Sequence, residues 1–314
     1  MPLVIPGSAG ALSDAVWIDL LNPTDDERRQ VEQATKLRLP TEGEIEEIES
    51  SSRVFTEGAT LYLSTPVLES MDCANGAVIT IGFVLSPSQL ITLRYGHVAA
   101  FDDVAVILTR DSPPSARDAF LRILESIVEQ TADSLELASA EIDRISHEAF
   151  HLDPPGRRRR AKTGAALRGA LRKVGRMGDG VSHIRDILLG LARIAAFVHD
   201  DGHRTAPSAD QARLVAIRAD IASLNDYQTH LSTKVQFVLD ATLGFISIEQ
   251  NEVVKTLTVA SVVGVPPVLI AGIYGMNFRH MPELGWSLGY PFALVLIVAS
   301  ALIPLAWFKW RGWL

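Results

Sequence analysis

A short polar segment, IYGMNFRHMPELGW at Ile273–Trp286, lies between the two long uncharged runs of the sequence. It carries the amide of Asn277, the guanidinium of Arg279 and the carboxylate of Glu283. Oxygen atoms of amides and carboxylates are the ligands that hard cations such as Mg²⁺ prefer. Polar residues beside membrane-length apolar runs are typical of ion pathways. The question that the segment raises is why these polar side chains are confined to the short gap between two apparent membrane spans.

A second pattern runs back from this segment along one helical face. Steps of three or four residues keep side chains on one side of an α-helix. Ten residues follow such steps, and they are small or polar at the beginning of the face and aliphatic in its middle: Asp240, Gly244, Ser247, Asn251, Val254, Leu257, Ser261, Val265, Val268 and Gly272. We call these residues the ten-residue face.

The ten-residue face predicts a narrow pore if several copies of the helix turn it towards a common axis. Asp240 would then form a carboxylate ring and Asn251 an amide ring, and aliphatic rings beyond them could close by dewetting. The candidates for this hydrophobic gate are Val254, Leu257, Val265 and Val268. The alternative is ordinary packing in a helix bundle, which predicts the same aliphatic residues. Only Asp240, Asn251 and Asn277 distinguish the two interpretations.

Two C-terminal runs are long enough to cross a membrane. No residue carries a formal charge between Lys255 and Arg279, and a second uncharged run follows Glu283 and ends at Phe308. At about 1.5 Å per residue, each can cross a hydrocarbon layer of roughly 30 Å. Two spans place both termini on one side, and the Lys and Arg residues at the outer ends of the pair predict that this side is the cytoplasm. The alternative is a core hairpin of a soluble protein. An interfacial aromatic belt argues against it: Tyr290, Trp307, Trp310 and Trp313.

A long helix is predicted before the first run and continuous with it. Between Gln211 and Lys255, apolar residues recur at alternating steps of three and four, which is a heptad pattern. One helix ending at Tyr274 would be roughly 95 Å long. We expect such a helix to associate with copies of itself or with other helices. The polar residues that interrupt the pattern are Gln228, Thr242 and Glu249.

The rest of the chain predicts a helical hairpin and an α/β domain. Ala116–Phe150 and Arg157–His199 have helical character and are separated by the break LDPPG. The first hundred residues contain the β-rich runs AVWIDL, ATLYLSTPVLE, AVITIGFVLS and QLITLRY. A helix opened by Asn22 or Thr24 as its N-cap lies between the first two runs. The predicted fold class is therefore an α+β membrane protein.

These elements predict seven segments in chain order. A cytosolic α/β domain occupies residues 1–110, a cytosolic helical hairpin 111–206 and a stalk helix 207–255. The membrane part comprises a pore-lining transmembrane helix at 256–276, an external loop at 277–287, a second transmembrane helix at 288–308 and a cytosolic tail at 309–314.

The composition excludes several classes of function. A net charge of -8 and a pI of about 5.5 argue against a nucleic-acid partner. The single cysteine, Cys73, excludes an intrachain disulfide and a Cys-based zinc cluster. The sequence contains no Walker A loop, GxSxG elbow, HExxH motif or helix-opening GxGxxG. We therefore expect neither an enzyme nor a nucleotide-driven pump.

Several stretches resemble the CorA-type magnesium transporters. NEVVKTLT at Asn251–Thr258 is followed by AGIYGMNFRHMPELGWSLGYP at Ala271–Pro291, and the chain ends in WFKWRGWL. The hallmark of that family is Tyr-Gly-Met-Asn before a Met-Pro-Glu-Leu loop. WIDLLNPTDDE at Trp17–Glu27 also resembles the start of the family's cytoplasmic domain. The match is close over about the last 70 residues.

The resemblance implies a homopentameric funnel in the cell (inner) membrane, with both termini cytoplasmic and the second span against lipid. Asn277 would form an amide ring at the outer mouth, shaped by Gly275 and Met276. Mg²⁺ loses its water reluctantly, so neutral amides can select the hydrated ion without stripping it. Asp240 and Asn251 would be the inner polar rings. The implied metal contacts are Asn277 and Asp240, and no cofactor other than the transported ion is implied.

Two alternatives remain open at this stage. The first is transport of Zn²⁺, Co²⁺, Ni²⁺ or a less selective set of cations by the same architecture, since the related zinc-transporting branch shares Gly-Met-Asn. The second is a membrane-anchored regulatory module that conducts little. Family members commonly carry an acidic residue after Gly-Met-Asn-Phe, whereas this chain has Arg279 there. Glu283 is then the remaining anion of the external loop.

Overall fold

The computed structural model describes residues 3–6, 12–47, 53–72, 74–110, 115–150, 160–202, 208–276 and 281–313. The chain divides into two compact units. The first unit comprises Met1–Arg159 and Arg168–Asp240, and the second comprises Arg160–Leu167 and Ala241–Leu314.

A six-stranded sheet forms the centre of the first unit. Its strands are β1 Leu3–Pro6, β2 Ala15–Leu21, β3 Val54–Glu57, β4 Thr60–Leu68, β5 Val78–Leu85 and β6 Leu90–Arg94. Their spatial order is β1-β2-β6-β5-β4-β3. Strands β2 and β6 pair in parallel, from Trp17 opposite Leu90 to Leu21 opposite Arg94, and the other neighbours are antiparallel.

Both faces of this sheet are covered, because successive side chains of a strand point to opposite sides. In β4, Leu61 and Leu63 belong to one apolar cluster, whereas Tyr62 between them belongs to another. Burial on both faces explains why β4 is an almost continuous apolar run instead of an alternating one. The two edge strands of the sheet, β1 and β3, were not predicted from the sequence.

Within the described residues, short helices accompany the sheet at α1 Asp25–Thr35, α2 Glu42–Glu46 and α3 Ala99–Arg110. The side chain of Thr24 accepts a hydrogen bond from the backbone N–H of Glu27, and the Glu27 carboxylate accepts one from the backbone N–H of Thr24. This capping box decides between the two predicted N-caps in favour of Thr24. Short 3-10 turns occur at Leu12–Asp14 and Pro282–Gly285.

Long helices make up most of the remaining chain: α4 Ala116–Phe150, α5 Arg160–Gly202, α6 Ser208–Tyr274 and α7 Gly289–Trp310. In the first unit, the heptad residues of α6 share one apolar cluster with Ile127 of α4 and Ile184 of α5. The heptad helix therefore packs on helices of its own chain. Its buried heptad residues are Leu214, Ile217, Ile221, Leu231, Val235 and Val238.

The expected interruptions of the heptad pattern include residues that are themselves buried. Gln228 is only 2% exposed, and its amide donates hydrogen bonds to the Val181 carbonyl oxygen and the Ser232 hydroxyl, both at 3.0 Å. Thr242 is also fully buried. The buried side of α6 therefore includes polar residues as well as apolar ones. The buried amide of Gln228 is tolerated because it has hydrogen-bond partners.

An ion-pair network joins α4 to α6 within the first unit. The Arg213 guanidinium donates two hydrogen bonds to the Glu125 carboxylate, at 2.9 and 2.7 Å, and one to Asp118 at 2.7 Å. Hydrogen bonding to Glu125 and Asp118 raises the pKa of Arg213. A bidentate ion pair of this kind fixes the relative orientation of the two side chains as well as their distance. The pair therefore orients α6 relative to α4.

Helix α5 packs closely against strand β4 at Gly190. A Cβ atom at Gly190 would overlap the Thr65 hydroxyl and lie 3.1 Å from Cδ of Pro66. We expect Gly190→Ala to lower the free energy of unfolding by about 1–3 kcal/mol, because overpacking forces the helix away from β4. The measurement is the thermal melting of the purified full-length protein.

Gly175→Ala is the matched control for this substitution. Gly175 lies in the same helix, and nothing lies within 4 Å of the position that its Cβ would take. Alanine is favoured over glycine in a helix by about 1 kcal/mol, so the control is expected to melt at the same or a higher temperature. Equal melting temperatures for the two variants would show that Gly190 is not a close-packing position.

Among the described residues, two helices are long and apolar enough to cross a membrane, α6 and α7, and the second unit contains α7 and the part of α6 from Ala241 onwards. Only 6% of the apolar window of each helix is buried, which separates both from the buried core helices of soluble proteins. The predicted α+β fold class, with an N-terminal α/β domain, long helices and two apolar C-terminal helices, is confirmed.

Candidate functional site

Helix α6 continues to Tyr274 through two adjacent prolines, Pro266 and Pro267. A proline has no N–H to donate, so the carbonyl oxygens of Val262 and Val263 lose their usual helical donors. In a membrane such carbonyls must be satisfied by neighbouring helices, side chains or ordered water. This part of α6 is therefore suited to a helix bundle and unsuited to standing alone in lipid.

Every member of the ten-residue face is exposed in the single chain. The aliphatic members are the most conspicuous, since Leu257 is 67% and Val268 is 72% exposed. The exposed aliphatic part of this face requires a cover, either lipid or other helices. The exposure extends without interruption from Asp240 to Gly272.

From Lys255 to Tyr274, the partly buried residues of α6 lie on the other side of the helix. They follow steps of one to four residues: Lys255, Val259, Val263, Pro266, Pro267, Ile270 and Tyr274. At about 100° per residue, this stripe faces away from the ten-residue face. Helix α7 has a partly buried stripe of its own, in which small residues dominate: Ala293, Ile297, Ala299, Ser300, Ala301, Pro304 and Phe308. Small residues allow close approach of membrane helices, so these two stripes are suited to each other.

The described chain leaves α6 through a short turn at Gly275 and Met276. The Gly275 N–H donates to the Ala271 carbonyl oxygen at 2.9 Å, and the Met276 N–H donates to Ile273 at 3.2 Å. A Cβ atom at Gly275 would lie 3.2 Å from the Ala271 oxygen, which explains the preference for glycine. Met276 is 48% exposed. Asn277 is the next residue in the sequence after this turn.

Two of the predicted loop residues, Asn277 and Arg279, lie outside the described residues. The backbone of Glu283 lies in the 3-10 turn Pro282–Gly285, and its side chain is not described. Beyond the turn, the Trp286 ring lies 5.8 Å from the Phe292 ring, and the Gly289 N–H donates to the Trp286 carbonyl oxygen at 3.0 Å. These contacts attach the end of the loop to the first turn of α7.

The inner polar residues Asp240 and Asn251 are exposed members of the same face. Among the residues that the structure describes, no three His, Cys, Asp or Glu side chains come together in a way that could hold a metal ion. A single copy therefore offers isolated oxygen ligands along this face. If several copies placed this face around a common axis, each of these oxygen ligands would become one member of a ring.

Comparison with known proteins decides the family. The profile of the family described as "CorA-like Mg2+ transporter protein" matches residues 13–310, nearly the whole chain. This chain belongs to the CorA-like Mg²⁺ transporter family. A magnesium transport protein CorA from Haemophilus ducreyi is 34% identical over 98% of this chain and 94% of its own length. The magnesium transport protein CorA of Escherichia coli K12 is 33% identical over 96% of this chain and 93% of its own length.

The fold agrees with this membership of the CorA-like family. The complete structure of the CorA magnesium transporter from Methanocaldococcus jannaschii superposes with a TM-score of 0.74. It covers 96% of this chain and 92% of its own, although the sequences are only 18% identical. The shared fold therefore extends through both the N-terminal domain and the apolar helices.

Sequence reasoning missed one contact in this CorA-like chain. It grouped Trp307, Trp310 and Trp313 as an aromatic belt, but the end of α7 is a packed cluster. The Phe308 ring lies 5.1 Å from Trp307 and 5.4 Å from Trp313, and the Arg311 guanidinium lies 5.4 Å from the Trp307 ring. Gly312, just beyond the helix, is the sequence signal for a chain that turns back at this point.

Proposed function

We propose that this protein conducts Mg²⁺ across the cell (inner) membrane as a homopentamer whose pore is lined by the ten-residue face of α6. The observation that carries the proposal is the unbroken exposure of that face from Asp240 to Gly272. Polar members, among them Ser247 and Asn251, extend the face beyond the uncharged run. A pore predicts this continuation of the lining into the stalk.

Asn277, at the outer mouth of the pore, is the proposed residue that selects the cation. Gly275 and Met276 form the turn that precedes it. One amide from each copy would hydrogen-bond the water shell of the ion. A neutral ring suits Mg²⁺, because the ion keeps its first water shell and must also be released. Arg279 adds a cation per copy near this mouth, so Glu283 is the proposed loop anion that offsets it.

The gate is proposed for the aliphatic part of the face, formed by Val254, Leu257, Val265 and Val268. These side chains are between 60% and 72% exposed in the single chain, so they are free to meet their copies around an axis. A constriction of aliphatic rings excludes water when narrow and admits it when slightly wider. Asp240 and Asn251 would concentrate cations on the cytoplasmic side of the gate.

The proposed orientation places both termini in the cytoplasm. We assign the membrane-spanning segments to residues 256–276 and 288–308, with residues 277–287 as the external loop. Lys255, Lys309 and Arg311 then lie at the cytoplasmic ends of the spans, as the positive-inside tendency requires. The second span faces lipid. The driving force is the electrochemical gradient of the cation, since the sequence carries no nucleotide-binding motif.

The test is cation influx into liposomes that contain the purified protein and a dye selective for the entering metal. With an inside-negative potential, we expect Mg²⁺ to enter much faster than into protein-free vesicles and faster than Zn²⁺ at equal concentration. The reason is that a neutral amide ring suits a fully hydrated hard cation. Mg²⁺ entry equal to that of protein-free vesicles would overturn the proposal. Faster entry of Zn²⁺ would overturn the assignment of Mg²⁺.

A further inference from the structure

The C-terminal end of α7 folds back on itself through a glycine-dependent turn. Gly312 has a φ of +71°, in the left-handed region that glycine adopts without strain. Its N–H donates to the Lys309 carbonyl oxygen at 3.2 Å, and the Trp313 N–H donates to Phe308 at 2.9 Å. These two hydrogen bonds are those of a Schellman motif. The motif fixes the place of the Trp313 backbone.

The Trp313 ring packs on a residue of the same turn, although Trp313 itself is 43% exposed. It stacks on the Phe308 ring at a centroid distance of 5.4 Å and an interplanar angle of 30°. Phe308 is only 3% exposed, so the platform under the indole is buried. A hydrophobic contact between these two positions commonly accompanies the Schellman motif. One side of the indole is therefore occupied by Phe308.

That indole lies beside the ammonium group of Lys255 on α6. The Lys255 Nζ atom is 5.9 Å from the centroid of the Trp313 ring, within the range of a cation–π interaction. The Glu252 carboxylate, one turn earlier on α6, lies 3.7 Å from the same Nζ atom. The ammonium is thus held between a carboxylate of its own helix and a ring of the C-terminal tail.

Lys255 stands next to the proposed gate in sequence but on another side of the helix. Val254 and Leu257 belong to the exposed ten-residue face, whereas Lys255 belongs to the partly buried stripe. Successive residues of an α-helix are about 100° apart, and the hydrogen-bonded backbone keeps this relation fixed. Restraining Lys255 therefore restrains the directions of Val254 and Leu257.

We propose that Trp313 is a positioning residue for the gate: it holds Lys255 and so fixes the rotation of α6 at Val254 and Leu257. This inference rests on the proposed function, because it concerns the same pore. Loss of the ring would allow α6 to rotate, widen the aliphatic constriction and increase cation entry. The contact between Lys255 and Trp313 can be tested independently of which ion the pore conducts.

The first test measures the contact without any transport. Full-length protein in lipid nanodiscs is treated with an amine-acylating reagent, and the rate at Lys255 is followed by mass spectrometry with Lys309 as the internal reference. We expect Trp313→Leu to raise the rate at Lys255 about threefold, the size of an exposed cation–π interaction. Trp313→Phe keeps an aromatic face and should restore a rate close to that of the unmodified protein.

Trp310→Leu is the matched control, since Trp310 is 83% exposed and lies three residues away. It should leave the acylation rate of Lys255 unchanged. An unchanged rate in Trp313→Leu would overturn the inference. An equal rise in Trp310→Leu would do the same, because it would indicate a general loosening of the tail.

The second test measures initial Mg²⁺ entry into proteoliposomes. We expect Trp313→Leu and Lys255→Met each to raise entry about threefold, and the double variant to give the same increase as either one. Trp313→Phe should behave like the unmodified protein. Unchanged or slower entry in Trp313→Leu would overturn the gate-positioning role. Absence of Mg²⁺ entry in the unmodified protein would instead overturn the proposed function, while the acylation result would still stand.

Discussion

Replacing Asn277 with alanine is expected to reduce Mg²⁺ entry into proteoliposomes at least about tenfold. A net amide hydrogen bond contributes about 1 kcal/mol, and about 1.4 kcal/mol corresponds to a factor of ten. One amide from each copy would contact the water shell of the same ion, so a single substitution removes several hydrogen bonds at once. The helix end at Tyr274 and the turn at Gly275 and Met276 contain no other side-chain amide that could replace it.

Asn277→Asp is the matched variant for this prediction, because it keeps the size of the side chain and adds a charge. An ionised ring should hold Mg²⁺ more tightly and release it more slowly, so the apparent affinity should rise while the maximal rate falls. Assembly size and melting temperature of both variants provide the control for folding. Equal Mg²⁺ entry in the unmodified protein and Asn277→Ala would show that the selective step lies elsewhere.

Replacing Arg94 with leucine is expected to lower the free energy of unfolding by roughly 3–5 kcal/mol. The Arg94 side chain is 5% exposed and that of Asp19 is 2% exposed. The guanidinium donates hydrogen bonds to both carboxylate oxygens of Asp19, the shortest at 2.7 Å. Removal of one partner leaves the other charge buried and unpaired, which is the costly outcome. The measurement is the urea midpoint of the full-length protein, followed by circular dichroism.

The exposed pair Arg29 and Asp26 provides the control. Their side chains are 69% and 95% exposed, and Arg29→Leu should change the free energy of unfolding by less than about 1 kcal/mol. Combining Arg94→Leu with Asp19→Asn should recover part of the loss, because no buried charge then remains. A loss in Arg94→Leu as small as that in Arg29→Leu would mean that water reaches the Asp19 carboxylate.

Much of the fold could be predicted because its signals are local. The apolar runs of β2, β4, β5 and β6 and the bounds Ala116–Phe150 followed from residue type and spacing. The parallel pairing of β2 with β6 could not be predicted in this way. It depends on which strand fills the space between β2 and β5, and that choice is made by packing across more than seventy intervening residues. The edge strand β1 was missed because only four residues form it.

One part of the candidate site could also be predicted from the sequence, and another part could not. Helical spacing alone places Asp240, Leu257 and Gly272 on one side of α6, so the proposed pore lining could be derived without a structure. The contact between Lys255 and Trp313 could not be predicted, because the rest of α6, the segment that follows it and α7 separate these residues in sequence. Its energy comes from a ring face that exists only after Gly312 turns the chain back.

The parallel pairing of β2 with β6 also sets an order of events during synthesis. The β4–β5–β6 antiparallel neighbours can pair soon after they leave the ribosome, because their contacts are close in sequence. Strand β2 emerges much earlier and must wait unpaired on that side until β6 is complete. The pair between Asp19 and Arg94 closes only with the last residue of β6. The N-terminal domain thus passes through an interval in which β2 has an open edge, when chaperones or neighbouring nascent chains have access to it.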